Sequence, residues 1–303
     1  MKIYDCIIIG AGPAGITATV YLARKRIDFL VITKDIGGQA AISGDIENYT
    51  GYQFITGPEL SAKFEEHMRN YSFDLKEQEE ASIVVKRDDG VIAVKTDKGE
   101  YQARSAIIAS GKKPKELNVP GEKEFKNKGV SYCATCDGPL FAGKDVAIIG
   151  GGNSALDAGL QLIRIAKRVF IINNTPKLGG DSVMREQIES SKVATVLNNS
   201  KVAAIFGDNF VLGIKVDKEG KEETLAVQGV FVEAGLIPNT DFISIVEKNA
   251  FKEINVNGHN ETNVPGIFAA GDVTNVPEKQ IVIAAGEGAK AALSTFKYLM
   301  QNR

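Results

Sequence analysis

Two short apolar runs in this chain each lead directly into a glycine turn and then into a helical repeat. Residues 6–15 read CIIIGAGPAG and residues 146–155 read VAIIGGGNSA. An unbroken apolar run of this length suits a parallel strand buried on both faces. The 3.6-residue pattern that follows predicts helices over 13–26 and 153–167. Each is succeeded by a further apolar run, at 29–32 and 169–172. Two strand–turn–helix–strand starts with one spacing predict an α/β fold built from a pair of doubly wound domains.

The remaining pattern fits around those two starts. Residues 83–96 (IVVKRDDGVIAVKT) read as a hairpin turning at Asp89-Gly90, and Ile107-Ile108 as a further strand. A second hairpin is expected from 211–216 and 223–227. The stretch 111–120 carries two prolines and reads as a linker, and a second boundary falls near Pro238-Asn239. Beyond it, 267–271 reads as a strand and 282–299 as an amphipathic helix. The simplest arrangement inserts one domain, 114–241, into a discontinuous domain formed by 1–113 and 242–303.

Composition narrows the chemistry. Among 303 residues, 36 Lys and Arg face 38 Asp and Glu, a formal net charge of −2. This balance gives no electrostatic reason to expect nucleic acid as a partner. No apolar run reaches the ~18 residues of a membrane span, and Asp5 breaks the N-terminal stretch, which is not read as a signal peptide. With three cysteines and two histidines, a four-ligand structural zinc site and a multiply disulfide-bonded secreted fold are both excluded. A lone Cys-x-x-Cys then points to redox chemistry and a cytoplasmic setting.

The first turn, Gly10-x-Gly12-x-x-Gly15, follows a strand and opens a helix, the context in which this motif cradles a pyrophosphate. The helix N-terminus would offer unpaired N–H groups and partial positive charge to the phosphates. An acidic residue about 20 positions on ordinarily holds the ribose hydroxyls. Here the second strand ends at Thr33-Lys34 with Asp35 just beyond, a weaker grip. The turn alone does not separate FAD from NAD.

Cys133 and Cys136 are separated by two residues, a spacing open to a redox pair, to half a metal site or to two inert thiols. As a redox pair, one thiolate would attack a partner disulfide and its neighbour would resolve the mixed disulfide. Asp137 follows immediately and is the nearest candidate proton carrier. Cys6, inside the first apolar run, reads as a small core hydrophobe.

Gly37-Gly38-Gln39, Glu47-Asn48-Tyr49, Ala109-Ser110-Gly111, residues 133–138 (CATCDG) and Gly271-Asp272-Val273 occur in the order found in low-molecular-weight thioredoxin reductases, which the chain resembles over essentially its whole length. Residues 276–281 (VPEKQI) through Gly286-Glu287-Gly288 are more similar to the flavoprotein subunit of alkyl hydroperoxide reductase, a relative with an additional N-terminal redox domain. The resemblance implies two Rossmann-like three-layer domains, with FAD in the first. It sets Gly10, Gly12, Pro13, Ala14 and Gly15 against the pyrophosphate, Asp272 at the ribitol or phosphate side, and Gln39, Asn48 and Gln280 around the flavin. Gly38, Ala109, Gly111, Gly271, Lys279 and Ile281 complete the cofactor-binding set it implies. Gln280 precedes an apolar helix whose N-terminal dipole would favour negative charge on the flavin. The resemblance further implies a catalytic Cys133–Cys136 pair with Asp137 in acid–base work, thioredoxin as partner, a homodimer, and domain rotation on the linkers to uncover the pair.

The second turn, Gly150-x-Gly152-x-x-Ala155, is the nicotinamide-nucleotide turn of that family. By the common spacing Thr33 corresponds to Asn173, where the sequence reads NNTPKLGG over 173–180. Thioredoxin reductases that use NADPH have a His-Arg-Arg-x-x-x-Arg run there, and the hydroperoxide reductase relatives an acid in place of Asn173. Losing two arginine–phosphate bonds costs about 3–6 kcal/mol, and Lys177 is the sole cation left in the run. Asn173 retains the capacity to accept a ribose hydroxyl. NAD(P)H is therefore a doubtful cofactor. The combination resembles the ferredoxin-dependent flavin thioredoxin reductases, which implies ferredoxin as electron donor, with NADPH or NADH as the alternative.

Overall fold

A computed structural model describes residues 2–43 and 45–302. Six α-helices occur among these residues: α1 (Pro13–Arg24), α2 (Gly57–Arg69), α3 (Ala134–Asp137), α4 (Asn153–Leu162), α5 (Ser182–Ser190) and α6 (Ile281–Gln301). The chain divides into two units, one of residues 1–113 and 237–303, the other of residues 114–236. The return crossing falls at Leu236/Ile237, ahead of the 241/242 boundary expected from Pro238-Asn239. The strand Leu236–Pro238 runs up to that proline and pairs with Lys112–Pro114, so the two connecting segments form a ribbon.

The first unit is built on a seven-stranded sheet. Strand Ile3–Ala11 lies between Phe29–Ile36 and Glu100–Ile108, parallel to both, and Ile267–Ala269 pairs in parallel with the end of Glu100–Ile108. On one face Cys6, Ile8 and Val31 pack under α1 and α6. On the other, Ile7, Ile9, Leu30 and Ile32 pack with Val84, Ile92 and Val94 of the hairpin and with Ile243 and Ile254. This two-sided burial is why these strands read as continuous apolar runs. The α6 stripe that meets α1 is small, with Ala284, Gly288, Ala291 and Ala292 buried, so the two helix backbones approach closely.

Helix α2 begins at a signal the hydrophobic pattern passed over. The Thr56 hydroxyl accepts from Glu59 N–H while the Glu59 carboxylate accepts from Thr56 N–H, a reciprocal capping box. The expected hairpin at Asp89-Gly90 is present between Ala81–Lys86 and Ile92–Thr96.

The second unit has a five-stranded parallel sheet in the order Val130–Ser131, Gly229–Val232, Asp145–Ile149, Arg168–Ile172, Ala194–Leu197. Helices α3, α4 and α5 cover one face through Ala134, Leu156, Leu162 and Ile188, with Leu178 added from the loop before α5. A three-stranded antiparallel sheet covers the other through Val202, Ile205, Ile214 and Val216. Its second hairpin joins Val211–Lys218 to Lys221–Leu225, turning at Glu219-Gly220, both in the left-handed region. Helix α4 ends at Leu162 rather than continuing to Lys167. The chain turns there, and Gly143 N–H and Lys167 N–H are tied to Ile165 O and Lys144 O.

Thr56→Ala removes the acceptor of the capping box and is expected to lower the stability of the first unit by about 1 kcal/mol. A urea midpoint indistinguishable from wild type would show that the box contributes nothing.

Candidate active site

The first glycine turn is shaped by the absence of side chains. Gly10 has φ +102°, and a Cβ there would lie 2.4 Å from Ala109 O on the neighbouring strand. A Cβ on Gly15 would lie 1.9 Å from Gly10 O, so helix and turn meet backbone to backbone. Helix α1 opens at Gly12 and Pro13 with no side-chain cap and no acid in its first turn, leaving the N–H groups of Ala14 and Gly15 for a ligand. The loop after the second strand closes over the turn, with Gly37 N–H donating to Ala11 O at 2.8 Å and Gly38 packed near Gly12. This crevice fits a pyrophosphate.

The rim brings together residues distant in sequence. Asn48 Nδ2 donates to Gln280 Oε1 at 3.1 Å, and Gln280 is the residue at the uncapped start of α6. Ala109 and Gly111 follow the strand Glu100–Ile108, and Gly271 and Asp272 lie in the 3₁₀ turn after its neighbour Ile267–Ala269. Burial, first of all, lifts the Asp272 carboxyl above the usual range, and the charges of Lys279 and Lys112 oppose that lift. Ile281 packs with Ile46, Ile55 and Leu60 in a small apolar cluster, so its side chain serves α6 seating. Gln39 lies half-buried in the 3₁₀ turn Gly38–Ile42. Two side chains here escaped the sequence reading. Glu253 accepts from Lys112 Nζ at 3.1 Å and from Lys279 Nζ at 3.0 Å. Lys112 follows a motif glycine and was visible in principle; Glu253 lies far along the chain and gave no signal.

In the second unit Cys133 and Cys136 form a disulfide with Cα atoms 5.4 Å apart. Cys133 caps the single-turn helix α3, and Cys136 N–H donates to Cys133 Sγ at 3.1 Å. That bond would stabilise a thiolate at Cys133 once the pair is reduced. Cys136 is exposed and Cys133 and Asp137 are half-buried. The segment is tied down on both sides. Cys133 N–H donates to Ser131 Oγ at 3.0 Å, and Tyr132 donates to the buried Glu122 at 2.8 Å. Thr135 donates to Gln161 at 2.9 Å, and Gln161 in turn to Asp157 at 2.9 Å. No group of three or more metal-ligating side chains occurs among the described residues. Cys6 is fully buried, and burial pushes its thiol up to about 12, so it stays protonated and inert.

The second glycine turn keeps the crossing loop, with Gly179 N–H donating to Gly151 O at 2.7 Å, and α4 also opens without a side-chain cap. The strand end differs from expectation. Asn173 is 2% exposed. Its amide donates to Thr175 O at 3.1 Å and Asn198 Oδ1 at 2.8 Å, and its oxygen accepts from the Thr175 hydroxyl at 2.9 Å. The ribose acceptor expected at Asn173 is therefore spent on the protein's own loop. Thr33 behaves alike in the first unit, accepting from Ala11 N–H at 3.1 Å. Lys177 is exposed. Beside this turn, Glu233 N–H donates to Ile149 O at 2.9 Å. Burial, reinforced by Asp157, raises the Glu233 carboxyl to about 8.

The pyridine nucleotide-disulphide oxidoreductase profile matches residues 4–288. The chain belongs to that family. It is 42% identical over 303 residues to a Bacillus subtilis protein named NADH dehydrogenase, covering 99% of this chain and 59% of that one. It is 40% identical over 307 residues to an alkyl hydroperoxide reductase subunit of Escherichia coli, covering 99% and 59%. The chain thus spans about three-fifths of the length of these curated relatives. The T. acidophilum thioredoxin reductase structure matches at a TM-score of 0.91 and 38% identity, covering all of both chains. The chain has the mixed α/β fold of these flavoprotein disulfide oxidoreductases, with FAD as its cofactor. No helix among the described residues is long and apolar enough to cross a membrane.

Because Glu233 keeps its proton up to about pH 8 when folded and loses it near 4.5 when unfolded, it withdraws stability as pH rises through that window. Glu233→Gln is expected to raise the urea midpoint at pH 7 and to flatten the decline between pH 5 and pH 8. Parallel wild-type and variant profiles would refute this.

Proposed function

We propose that this chain is an FAD-dependent disulfide reductase whose Cys133–Cys136 pair delivers electrons to a thioredoxin, with reduced ferredoxin as its donor. The observation that carries the reading is the Cys133–Cys136 disulfide, exposed at Cys136, in a chain whose other unit holds a cradle fitted to a dinucleotide pyrophosphate. Bound FAD supplies the ability to take up electrons singly or in pairs and to pass on two.

The chain's own residues define the remaining steps. Gly10, Gly15 and the α1 N–H groups hold the pyrophosphate; Asn48, Gln280 and Asp272 face the rest of the cofactor. When the disulfide accepts two electrons the S–S bond breaks to give two thiolates, which take up protons to become thiols. One thiolate attacks the partner's disulfide, forming a mixed disulfide and releasing a partner thiolate; the second cysteine then displaces the other partner sulfur and restores the Cys133–Cys136 bond. The N–H that Cys136 points at Cys133 makes the two sulfurs unequal, favouring thiolate at Cys133. Asp137, one residue on, carries the proton.

The donor assignment follows from Asn173 and Lys177. With the Asn173 side chain bonded internally and a single exposed lysine in the run, neither a 2′-phosphate nor a ribose diol has its ordinary partner. A small iron–sulfur protein needs none of these groups. A second reading, NADH as donor, is favoured by the crossing loop and uncapped α4 start and by the name of the Bacillus subtilis relative.

Anaerobic stopped-flow mixing separates the two. Photoreduced ferredoxin is expected to bleach the bound flavin at least about a hundredfold faster than equimolar NADPH or NADH, in line with the loss of at least about 3 kcal/mol of nucleotide contacts. Fast bleaching by NADH selects the second reading. Cys133→Ser and Cys136→Ser should each retain FAD and abolish thioredoxin reduction, and turnover in either variant would overturn the disulfide step.

A further inference from the structure

The turn that carries the redox pair is too short to hold itself. Helix α3 has four residues, and its internal bonds are those of a single turn: Asp137 N–H donates to Cys133 O at 3.1 Å, and Gly138 N–H to Ala134 O. One helical turn fixes more backbone than its bonds repay, so an isolated one does not persist in water. While the disulfide is closed, the Cys133–Cys136 bond ties this turn from end to end. When two electrons break the S–S bond, that covalent tie is gone and the turn relies on what holds it from outside.

Outside support comes from two directions. On the entering side the buried Ser131 hydroxyl accepts from Cys133 N–H at 3.0 Å and donates to Cys133 O at 3.2 Å. That holds Cys133 but does not reach Cys136, three residues on. On the α4 side Ala134 is buried in one apolar cluster with Leu156 and Leu162, but apolar packing has no direction and does not fix the rotation of the turn. Thr135, between the two sulfurs, supplies the direction, its hydroxyl donating to Gln161 Oε1 at 2.9 Å. An amide can present either end. Asp157, one turn earlier on the same face of α4, decides which: its Oδ2 accepts from Gln161 Nε2 at 2.9 Å and leaves the Gln161 oxygen for Thr135.

We propose that Gln161, oriented by Asp157, is a positioning residue for the redox pair: by holding Thr135 it keeps the opened turn wound and the Cys136 N–H aimed at Cys133 Sγ. This rests on the redox reading of the pair given above. Reduction leaves two sulfur anions, and the first proton taken up goes to the less stabilised one. Solvent alone would favour the anion at Cys136, the more exposed of the two. An N–H held 3.1 Å from Cys133 Sγ becomes a charge-assisted donor once that sulfur is an anion, so Cys133 keeps the charge and Cys136 takes the proton. With Thr135 released the turn unwinds, the donor swings away and that preference is lost. The charged groups around the turn are Asp137 in α3, Asp157 in α4, Arg164 just after α4, and Glu233 at the end of the strand that pairs with Val130–Ser131. Neutral substitutions at 135 and 161 leave all four in place.

The test labels anaerobically reduced holoprotein with iodoacetamide from pH 4 to 9, resolving Cys133 from Cys136 by peptide mass. Wild type is expected to react at Cys133 with a lower pH midpoint than at Cys136. Gln161→Met, which keeps the length and removes the bond, should raise the Cys133 midpoint and cut its thiolate fraction at the acid end of the profile about tenfold. Thr135→Val should do the same from the other side of the bond, and Thr135→Ser should keep the wild-type profile. The two disruptive variants lie on different helices, so if one fails to fold by circular dichroism the other decides. An unmoved Cys133 midpoint in a folded Gln161→Met or Thr135→Val protein would overturn the proposal alone. A low Cys133 midpoint that both variants raise, in a protein that reduces no thioredoxin, would overturn the thioredoxin reading and support this one. Wild type that yields no thiol on reduction would overturn both.

Discussion

A strand that ends against the start of a helix, with no side chain between them, is the constraint from which the rest of this molecule follows. It holds in full in the first unit, whereas the second has Ala155 in the place of Gly15 and keeps a methyl group beside Gly150. Gly15 against Gly10, and Gly10 against Ala109, bring three backbone segments within a contact that a single methyl group would break. Only then do the first N–H groups of α1 open on a cavity rather than on the protein's own atoms. The small-residue stripe of α6 answers the same demand from outside, because a bulkier α6 would push α1 off the sheet and rotate its N-terminus.

The two units share a glycine turn that opens a helix and differ in what surrounds it. Each has the loop after its second strand bonded back to the middle of the glycine turn, through Gly37 and Ala11 in one and Gly179 and Gly151 in the other. Around the first turn the polar neighbours are Gln280 with Asn48, and Asp272 in the turn Gly271–Val273. Around the second they are turned inward. Asn173 closes a ring of bonds with Thr175 and Asn198, and Glu233 is buried enough to hold its proton at neutral pH. The turn alone persists as packing; the ligand-facing groups are what a cofactor requires, and those are the groups that differ. This is why a matching glycine pattern is weaker evidence for a nucleotide than the polar residues beside it.

The sequence was informative where a local rule and the global fold agreed. The doubled apolar-run-and-glycine pattern marked the parallel strands at the centre of each sheet, because burial on both faces leaves a continuous run and a glycine turn admits few alternatives, while the Asp89-Gly90 hairpin and the last helix carried patterns of their own. Helix α2 went unread although its Thr56–Glu59 capping box is a sequence signal, since its apolar face is narrow: Leu60 and Met68 are its large buried side chains. Helix α4 was read too long because Lys167 follows an apolar Ile163, Ile165 and Ala166 that continue the pattern after the backbone has turned. At the site, motif residues such as Asn48 and Gln280 were legible one at a time, but their bond was not. Glu253 was invisible, since nothing local marks a glutamate whose partners lie at 112 and 279.

Asn173 shows how far residue identity alone can carry a functional argument. From sequence, an asparagine where relatives place an acid keeps an oxygen that a ribose hydroxyl could use. In the fold that oxygen is already an acceptor, and the amide has two acceptors of its own. Freeing it for a ligand would break bonds to Thr175 and Asn198 inside a nearly sealed pocket, where each unmade bond costs about 1–3 kcal/mol. A nucleotide would have to offset that cost before gaining any affinity from the ribose. The proposed electron donor therefore rests less on the absent arginines than on this closed ring of bonds, which suits the second unit to carrying the Cys133–Cys136 pair in place of a nucleotide.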